Sequence, residues 1–352
     1  MKKLTTLLCT SVMVGMMMTG SCYAEEVTAE AGVTEAQMVQ SEKKDLVIGY
    51  SDWGLVNSWR VQMQAEFEYA IQDYMDAGIV SDYILCNANN DIAKQISDIK
   101  DLIAKDVDII LVSAINTEAL NAVIGEAMDA GITVVAFAQL PSTDYITSKV
   151  NYNEVEYGRI CGEFMADALN GEGKVVALRF TAGTSTDDER QQGFEEGIEG
   201  TDIEIIAEAY VEGDYAQAHA AMEDFIAAYG DEIDGVWAMG GQSGNAAIDA
   251  MEAAGMDLVP TTGEGGNGFL RCWYNHLGEV KVACPCAPTF TCVKAMEVAI
   301  QAVNGEEVDS YYDIEVPVIT EDNIEEYFKP DLSDSYWCYT TLPETITKDL
   351  FE

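Results

Sequence analysis

Residues 46–60 read LVIGYSDWGLVNSWR. A short apolar run gives way to a polar stretch carrying Trp53, Asn57, Trp59 and Arg60, and a helical pattern starts at once. In an open α/β sheet, ligands bind in the loops at the carboxyl ends of strands. Two indoles, an amide and a guanidinium at such an end could grip a small polar molecule, the rings stacking on its apolar face and the polar groups pairing its hydroxyls. Trp59 fits a core position as well, and Trp53 fits a rim or a surface. Three later stretches offer similar chemistry: Glu264 and Asn267 follow the apolar run ending at Thr262, Gln242 follows the run 235–239, and Trp237 within that run belongs to the strand core or shows an edge to the loops. Among Asp187, Asp188 and Glu189, one could accept from a ligand hydroxyl, while acids at a helix start are favoured by the macrodipole in any case.

Several reactive chemistries find no support. The chain has no nucleophile elbow, zinc-binding helix or P-loop. Gly263 to Gly268 fits GxGxxG, but a dinucleotide site needs that motif at the first strand-to-helix turn, and here it comes late. Its glycines are expected to let backbone approach a ligand. Asp231 to Gly235 is only a fragment of a calcium loop. Glycoside hydrolysis would need two carboxylates across a bond, and Asp187 with Asp188 carries little weight in so acidic a chain. The expectation is binding without catalysis, with no cofactor and no metal.

The 352 residues include 18 basic and 62 acidic ones, a net charge of −44. Such a chain is repelled by phosphate backbones and anionic lipid, so nucleic acid is excluded as a partner. The N-terminus, MKKLTTLLCTSVMVGMMMTGSCYAEE, has two lysines, an apolar core and small residues, the pattern of a secretory signal over 1–24. Two processing routes stand level: a lipid anchor on Cys22 in a box-like TGSC, or ordinary cleavage after Cys22-Tyr23-Ala24. Residues 25–44 are polar and acidic and read as a flexible tether. Seven cysteines fall in the body; their spacing matches no zinc pattern, most are expected as small buried hydrophobes, and a disulfide cannot be paired from sequence.

From Asp45 onward, apolar runs near 46–50, 82–86, 108–113, 132–137, 174–180, 203–210, 235–239, 258–262 and 280–284 alternate with helical stripes. Met63, Phe67, Ile71 and Tyr74 share a face that Gly78 ends; Ile92, Ile96, Ile99 and Ile103 form another, with Asn90 as a cap; Leu120, Ile124, Ala127 and Met128 form a third, closed by Gly131. This rhythm predicts parallel sheets covered by helices. It breaks over Tyr145 to Val155, which favours two smaller sheets over one. The stretch from Val316 to Glu352 loses the pattern and is expected to wrap the body.

The run NANNDIAKQISDIKDLIAKDVDIILVSAINTEAL (87–120) resembles the first domain of ribose-type periplasmic sugar-binding proteins. AGITVVAF (130–137), YGRICGEFMADALNGEGKVVAL (157–178), AGTSTDDERQQGFEEGI (182–198), DGVWAMGGQSGNAAIDAMEAAG (234–255) and GEGGNGFLRCW (263–273) continue the resemblance in order, over about 45–350. It implies an α/β fold of two Rossmann-like lobes joined by a three-stranded hinge. The N-terminal lobe would be 45–150 plus 287–313, the C-terminal lobe 153–283 plus 318–352, with crossings near 151–153, 284–286 and 314–317. It further implies capture of a sugar-like ligand by hinge closure and delivery to the permease of an ABC transporter, with a chemoreceptor as a further partner, by an exported, periplasmic or lipid-anchored monomer. A repressor with this fold would need an N-terminal DNA-binding helix pair, which the signal and tether replace.

The resemblance places Arg190 where the family's sugar-binding arginine falls, in an ERxxGF context, against the alternative of an inter-helix salt bridge. Replacing it by Ala is expected to abolish binding and leave the fold intact. Ser51 and Ser113 match ligand-facing strand ends, with bonding to local backbone an equal alternative. The chain also departs from the family. Ala138-Gln139 stands where ribose-type proteins carry Asp-Arg, Gly240 and Gly265 replace an Asn and an Asp, Cys286 replaces a Gln at the second crossing, and Asp214 replaces an aromatic. A different sugar form, a furanose, a polyol or a non-carbohydrate solute is therefore expected.

Overall fold

A computed structural model describes residues 38–352. The expected signal, Cys22 and residues 25–37 of the expected tether lie outside the described residues. The stretch 38–44 is docked: Met38 and Val39 pack on the first core, the Val39 N–H donates to the Tyr74 hydroxyl at 3.0 Å, and Ser41 donates to the Asn304 amide oxygen at 2.6 Å.

The first sheet has the order β11-β5-β4-β3-β1-β2. Its strands are β1 (Leu46–Asp52), β2 (Val80–Asn87), β3 (Ile109–Ser113), β4 (Thr133–Phe137), β5 (Ser148–Tyr152) and β11 (Tyr311–Ile314), all parallel. The second has the order β12-β10-β9-β8-β6-β7. It is built from β6 (Glu172–Arg179), β7 (Asp202–Tyr210), β8 (Gly235–Ala238), β9 (Thr261–Thr262), β10 (Val282–Pro285) and β12 (Val318–Ile319). Only β12 runs antiparallel to its neighbour. The chain passes between the sheets three times, after β5, after β10 and after β11. Two parallel-sheet α/β lobes are thus the architecture, as the alternation implied. Strand β5 falls inside the stretch where the rhythm breaks; with Lys149 and Asn151 in five residues it lacks the apolar run that marks its neighbours.

Near-continuous burial along β1 and β3 reflects helices on both faces of the sheet. Helix α1 (Ser58–Asp76) buries Met63, Phe67, Ile71 and Tyr74, and Gly78 at φ 64° turns the chain out of it. In α2 (Ile92–Ala104) two expectations change. Asp91, not Asn90, caps the helix by accepting from the Lys94 N–H, and the buried face is Gln95, Ile99 and Leu102, with Ile92 left exposed. Helix α3 (Asn121–Asp129) buries Val123, Ile124 and Ala127.

In the second lobe, α4 (Glu154–Ala168) lies along α5 (Ser185–Gly197) at unusually close range. A Cβ on Gly158 would collide with the Arg190 carbonyl oxygen, and one on Gly193 with the Val155 carbonyl oxygen. The four glycines 158, 162, 193 and 197 bring the two backbones together, and this sets the position of Arg190 on α5. Around them stand α6 (Tyr215–Tyr229), α7 (Gly241–Ala254) and α8 (Asn267–Asn275); α9 (Thr291–Val303) belongs to the first core.

The segment after β12 carries only α10 (Ile324–Tyr327) and α11 (Glu344–Phe351). It wraps the body as expected and is clasped from both sides. Asn267 donates to the Lys329, Leu332 and Ser333 carbonyls, and Gln62 of α1 holds both the N–H and the C=O of Trp337 at 2.9 Å.

Gly158→Ala should lower stability by about 1–3 kcal/mol, the cost of forcing apart a close-packed contact. Thermal denaturation reads this as a lower melting temperature, and an unchanged one would show that the α4–α5 contact tolerates a methyl group.

Candidate ligand-binding site

The carboxyl ends of the two sheets face a cleft with a cavity of ≈ 100 Å³. The loop after β1 contributes Trp53, Asn57, Trp59 and Arg60; the loop after β4 contributes Ala138 and Gln139. Opposite stand Tyr152 and Glu154 at the first crossing, Phe180 and Thr181 after β6, Thr184, Thr186 and Arg190 at the start of α5, Glu212 after β7, Gly240 to Gln242 after β8 and Glu264 after β9. Trp337 reaches in from the C-terminal segment. Ala138 and Glu212 hold φ of 58° and 50°, and strained backbone of this kind collects at ligand clamps.

Arg190 is 1% exposed, and its donors are nearly all taken. Nε donates to Glu154 Oε2 at 2.7 Å, Nη2 donates to the Tyr152 hydroxyl and to Glu264 Oε1 at 2.7 Å each, and Nη1 donates to the Met239 carbonyl. The guanidinium carbon lies 3.7 Å from the Tyr157 ring centroid. Burial works against its charge, yet Glu154 and Glu264, with Tyr152 and Tyr157, hold the guanidinium well above its ordinary range. The two carboxyls are pushed up by burial and pulled down by Arg190.

The first lobe repeats the device. Arg60 Nη1 donates to Asp52 Oδ1 at 2.7 Å and to Ser113 Oγ at 3.2 Å, and the guanidinium carbon sits 4.3 Å from the Trp53 ring centroid. Burial raises the Asp52 carboxyl, and Arg60 opposes that rise. Asn57 is the N-cap of α1, accepting from the Arg60 N–H at 3.0 Å, so one side chain both starts the helix and lines the cleft. Among the described residues, Trp53 Nε1, Asp52 Oδ2 and Gln139 Oε1 are buried with no partner. Trp53 and Gln139 line the cavity. Buried polar groups rarely stay unpaired, so both have capacity left for a ligand.

Of the residues singled out in the sequence, the cleft brings together Trp53, Asn57, Trp59, Arg60, Gln139, Arg190, Gln242 and Glu264. Six others are placed elsewhere. Ser51 Oγ accepts from Gln95, which also donates to the Ser113 carbonyl, while the Ser113 hydroxyl supports Arg60 from behind. Asp187 is paired with Arg179 at 2.6 Å. Trp237 is core, stacked on Phe194 at 4.7 Å with Nε1 donating to Gln191. Asn267 spends its amide on the C-terminal segment. Asp214, at the position expected to be aromatic, is the N-cap of α6.

The glycine-rich loop also differs from expectation. A Cβ on Gly263 would strike the Phe269 ring, and one on Gly265 would strike the Cys286 and Cys338 sulfurs, so these glycines make room for protein side chains. Sequence reasoning missed Tyr152, Glu154, Phe180 and Trp337. The first two belong to a segment without a strand signal, and Trp337 to one without any periodic pattern. Among the described residues no group of three or more His, Cys, Asp or Glu is placed to hold a metal.

Two α/β lobes around a cleft of aromatic faces and pre-paired charges define a cleft-type binding protein. A model of the periplasmic binding protein domain matches residues 48–279, and the chain belongs to that family. It is 28% identical over 244 residues to the xylitol-binding protein of Mycolicibacterium smegmatis, covering 68% of each chain. It is 22% identical over 236 residues to the ribose import binding protein of Escherichia coli, covering 67% of this chain and 79% of that one. The fold superposes with a TM-score of 0.74 on an ABC transporter solute-binding protein from Bacillus halodurans solved with bound myo-inositol. That structure is 26% identical, with 82% of this chain and 99% of that one covered.

The geometry revises the expectation for Arg190. Arg190→Ala would leave Glu154 and Glu264 buried without their cation, so it should destabilise the protein by about 3–5 kcal/mol, seen as a shifted denaturant midpoint. An unchanged midpoint would mean that the two carboxyls reach water or share a proton.

Glu189, beside this cluster, supplies a pH test. Burial, with Glu154 and Asp188, pushes its carboxyl from the ordinary 4.5 up to about 7, against the pull of Lys149. The folded protein therefore holds a proton that the unfolded chain releases. The resulting stability is full below the ordinary value and is lost as pH rises through about 7. Glu189→Gln should flatten the melting temperature between those two values relative to wild type; parallel curves would place the titration on another group.

Proposed function

We propose that the chain is an exported receptor that captures an uncharged, hydroxyl-rich solute, a sugar or cyclic polyol, and hands it to an ABC importer. The observation that carries this reading is the state of the two cleft arginines. Each is already neutralised by buried carboxylates, Arg60 by Asp52 and Arg190 by Glu154 and Glu264. An anionic ligand would meet no unpaired cation, and it would approach Glu212 and Glu264. The aromatic rings of Trp53, Trp59, Phe180 and Trp337 suit the C–H faces of a sugar or cyclitol ring. The unpaired Trp53 N–H and Gln139 oxygen suit hydroxyls, which both donate and accept.

Xylitol, ribose and myo-inositol, bound by the relatives, are all uncharged polyhydroxy compounds. The loss of the Asp-Arg pair at Ala138-Gln139 speaks for a ring form other than a ribopyranose. The three passages between the sheets serve as a hinge, and closure brings Gln139 and Trp53 of one lobe against Phe180 and Gln242 of the other. The mechanism is capture and release without a chemical step.

A thermal-shift screen of pentoses, hexoses, furanoses and cyclitols, followed by calorimetry, should find a neutral binder that raises the melting temperature. The matching uronic acids and sugar phosphates should give no shift, and preferential binding of an anion would overturn the reading. Trp53→Ala should weaken binding roughly 10- to 100-fold while the unliganded melting temperature stays near wild type. Full affinity in that variant would remove Trp53 from the contact set.

A further inference from the structure

The sulfurs of Cys286 and Cys338 lie 3.7 Å apart, although the two residues are 52 positions apart in sequence. Cys286 follows β10 at the second passage between the sheets, and its N–H is held by the Pro317 carbonyl at 2.9 Å. Cys338 lies in the C-terminal segment directly after Trp337, and its N–H is held by the Gly265 carbonyl at 3.0 Å. Both backbones are therefore fixed, and both side chains converge over one residue. A Cβ on Gly265 would lie 2.7 Å from the Cys286 sulfur and 2.8 Å from the Cys338 sulfur. Only a glycine there leaves the space in which the sulfurs meet. Cys86, Cys161, Cys272 and Cys292 have no such partner sulfur among the described residues, and all seven cysteines described are free thiols.

From this juxtaposition we propose that Cys286 and Cys338 are a disulfide-forming pair that staples the C-terminal segment, with the cleft residue Trp337, to the second passage. A disulfide needs the sulfurs at ~2.05 Å. In this proposal side-chain rotation supplies the remaining approach, since both sulfurs already lie over Gly265. The pair is formed by exchange with a small-molecule disulfide such as oxidised glutathione. Burial pushes both thiols well above their ordinary range, so exchange starts from the small thiolate fraction that alkaline buffer supplies. The thiolate of Cys338, the less buried of the two, attacks the reagent and one glutathione leaves as thiolate. The Cys286 thiolate then attacks the Cys338 sulfur and expels the second. One protein disulfide forms, one glutathione disulfide is reduced, and the two thiol protons end on the two released glutathiones. The staple closes the loop that holds α9, β11, β12 and α10, so it restricts the unfolded chain and stabilises the folded one. It also commits Trp337 to travel with the second sheet when the lobes part. The pairing does not depend on which ligand the cleft takes.

The test is incubation of the full chain with oxidised glutathione in mildly alkaline buffer, alkylation of the remaining thiols, and peptide mapping by mass spectrometry without reduction. The expected result is a peptide containing Cys286 joined to one containing Cys338, two hydrogens lighter than their sum, together with a melting temperature several degrees above that of the reduced protein. Cys338→Ser should lose both the link and the shift, and Cys161→Ser should keep both. Alkylation of Cys286 and Cys338 after oxidation, or a link that joins Cys284 to either of them instead, overturns the proposal.

Discussion

A guanidinium removed from water must be surrounded by oxygen, and the second lobe is organised around meeting that demand for Arg190. Its ligands come from four separate places: Glu154 at the start of α4, Tyr152 at the end of β5, Met239 after β8 and Glu264 after β9. Each is the carboxyl end of a strand or the start of a helix, so the one cation ties together the loops that form this wall of the cleft. Tyr152 and Glu154 also flank the first passage between the sheets, so the same cluster holds the wall to that passage. The glycine contact of α4 with α5 makes this possible, because a methyl group at Gly158 would displace the backbone that carries Arg190. A buried ion cluster contributes little net stability against an apolar core, but losing one member is costly. Such a cluster is accordingly better suited to fixing geometry than to adding stability.

The consequence for recognition is that the charges in the cleft act as preset dipoles. Arg60 with Asp52 on one wall and Arg190 with two glutamates on the other leave no unpaired cation for an anion to meet, while held groups near the surface of the cavity remain able to pair with hydroxyls. The net charge of −44 belongs mostly to solvated side chains, where salt screens it over about 10 Å. Overall acidity and ligand charge are thus separate matters in this molecule.

The C-terminal segment adds a wall that the βα pattern does not supply. It is held by Asn267 on the second lobe and by Gln62 and Glu66 on α1, the latter accepting from Thr289, Thr340 and Thr341. Trp337 is placed in the cleft by these contacts, with its indole N–H on Ser58 at 3.0 Å. The segment touches both lobes, so it straps α1 to the second sheet.

The amino-acid sequence by itself determined the alternation of strands and helices, the apolar face of α1, the stop at Gly78, and the polar loop from Trp53 to Arg60 at the end of β1. These follow from period, from turn chemistry and from the rule that loops after strands face the ligand, all of which are local. The two passages of least legible pattern, β5 and the stretch after β12, are those with polar residues at strand positions or with prolines and no period. Only the tertiary structure decided how the polar side chains are employed. Asn267 and Glu264 occupy one loop, yet one holds the C-terminal segment and the other a buried arginine; Asp187 and Arg190 lie three residues apart on one helix, yet only the second reaches the cleft. A side chain's type sets which bonds it can make, but the partner is set by groups brought near from distant parts of the chain. That arrangement exists only once the two sheets and the segment that straps them have come together.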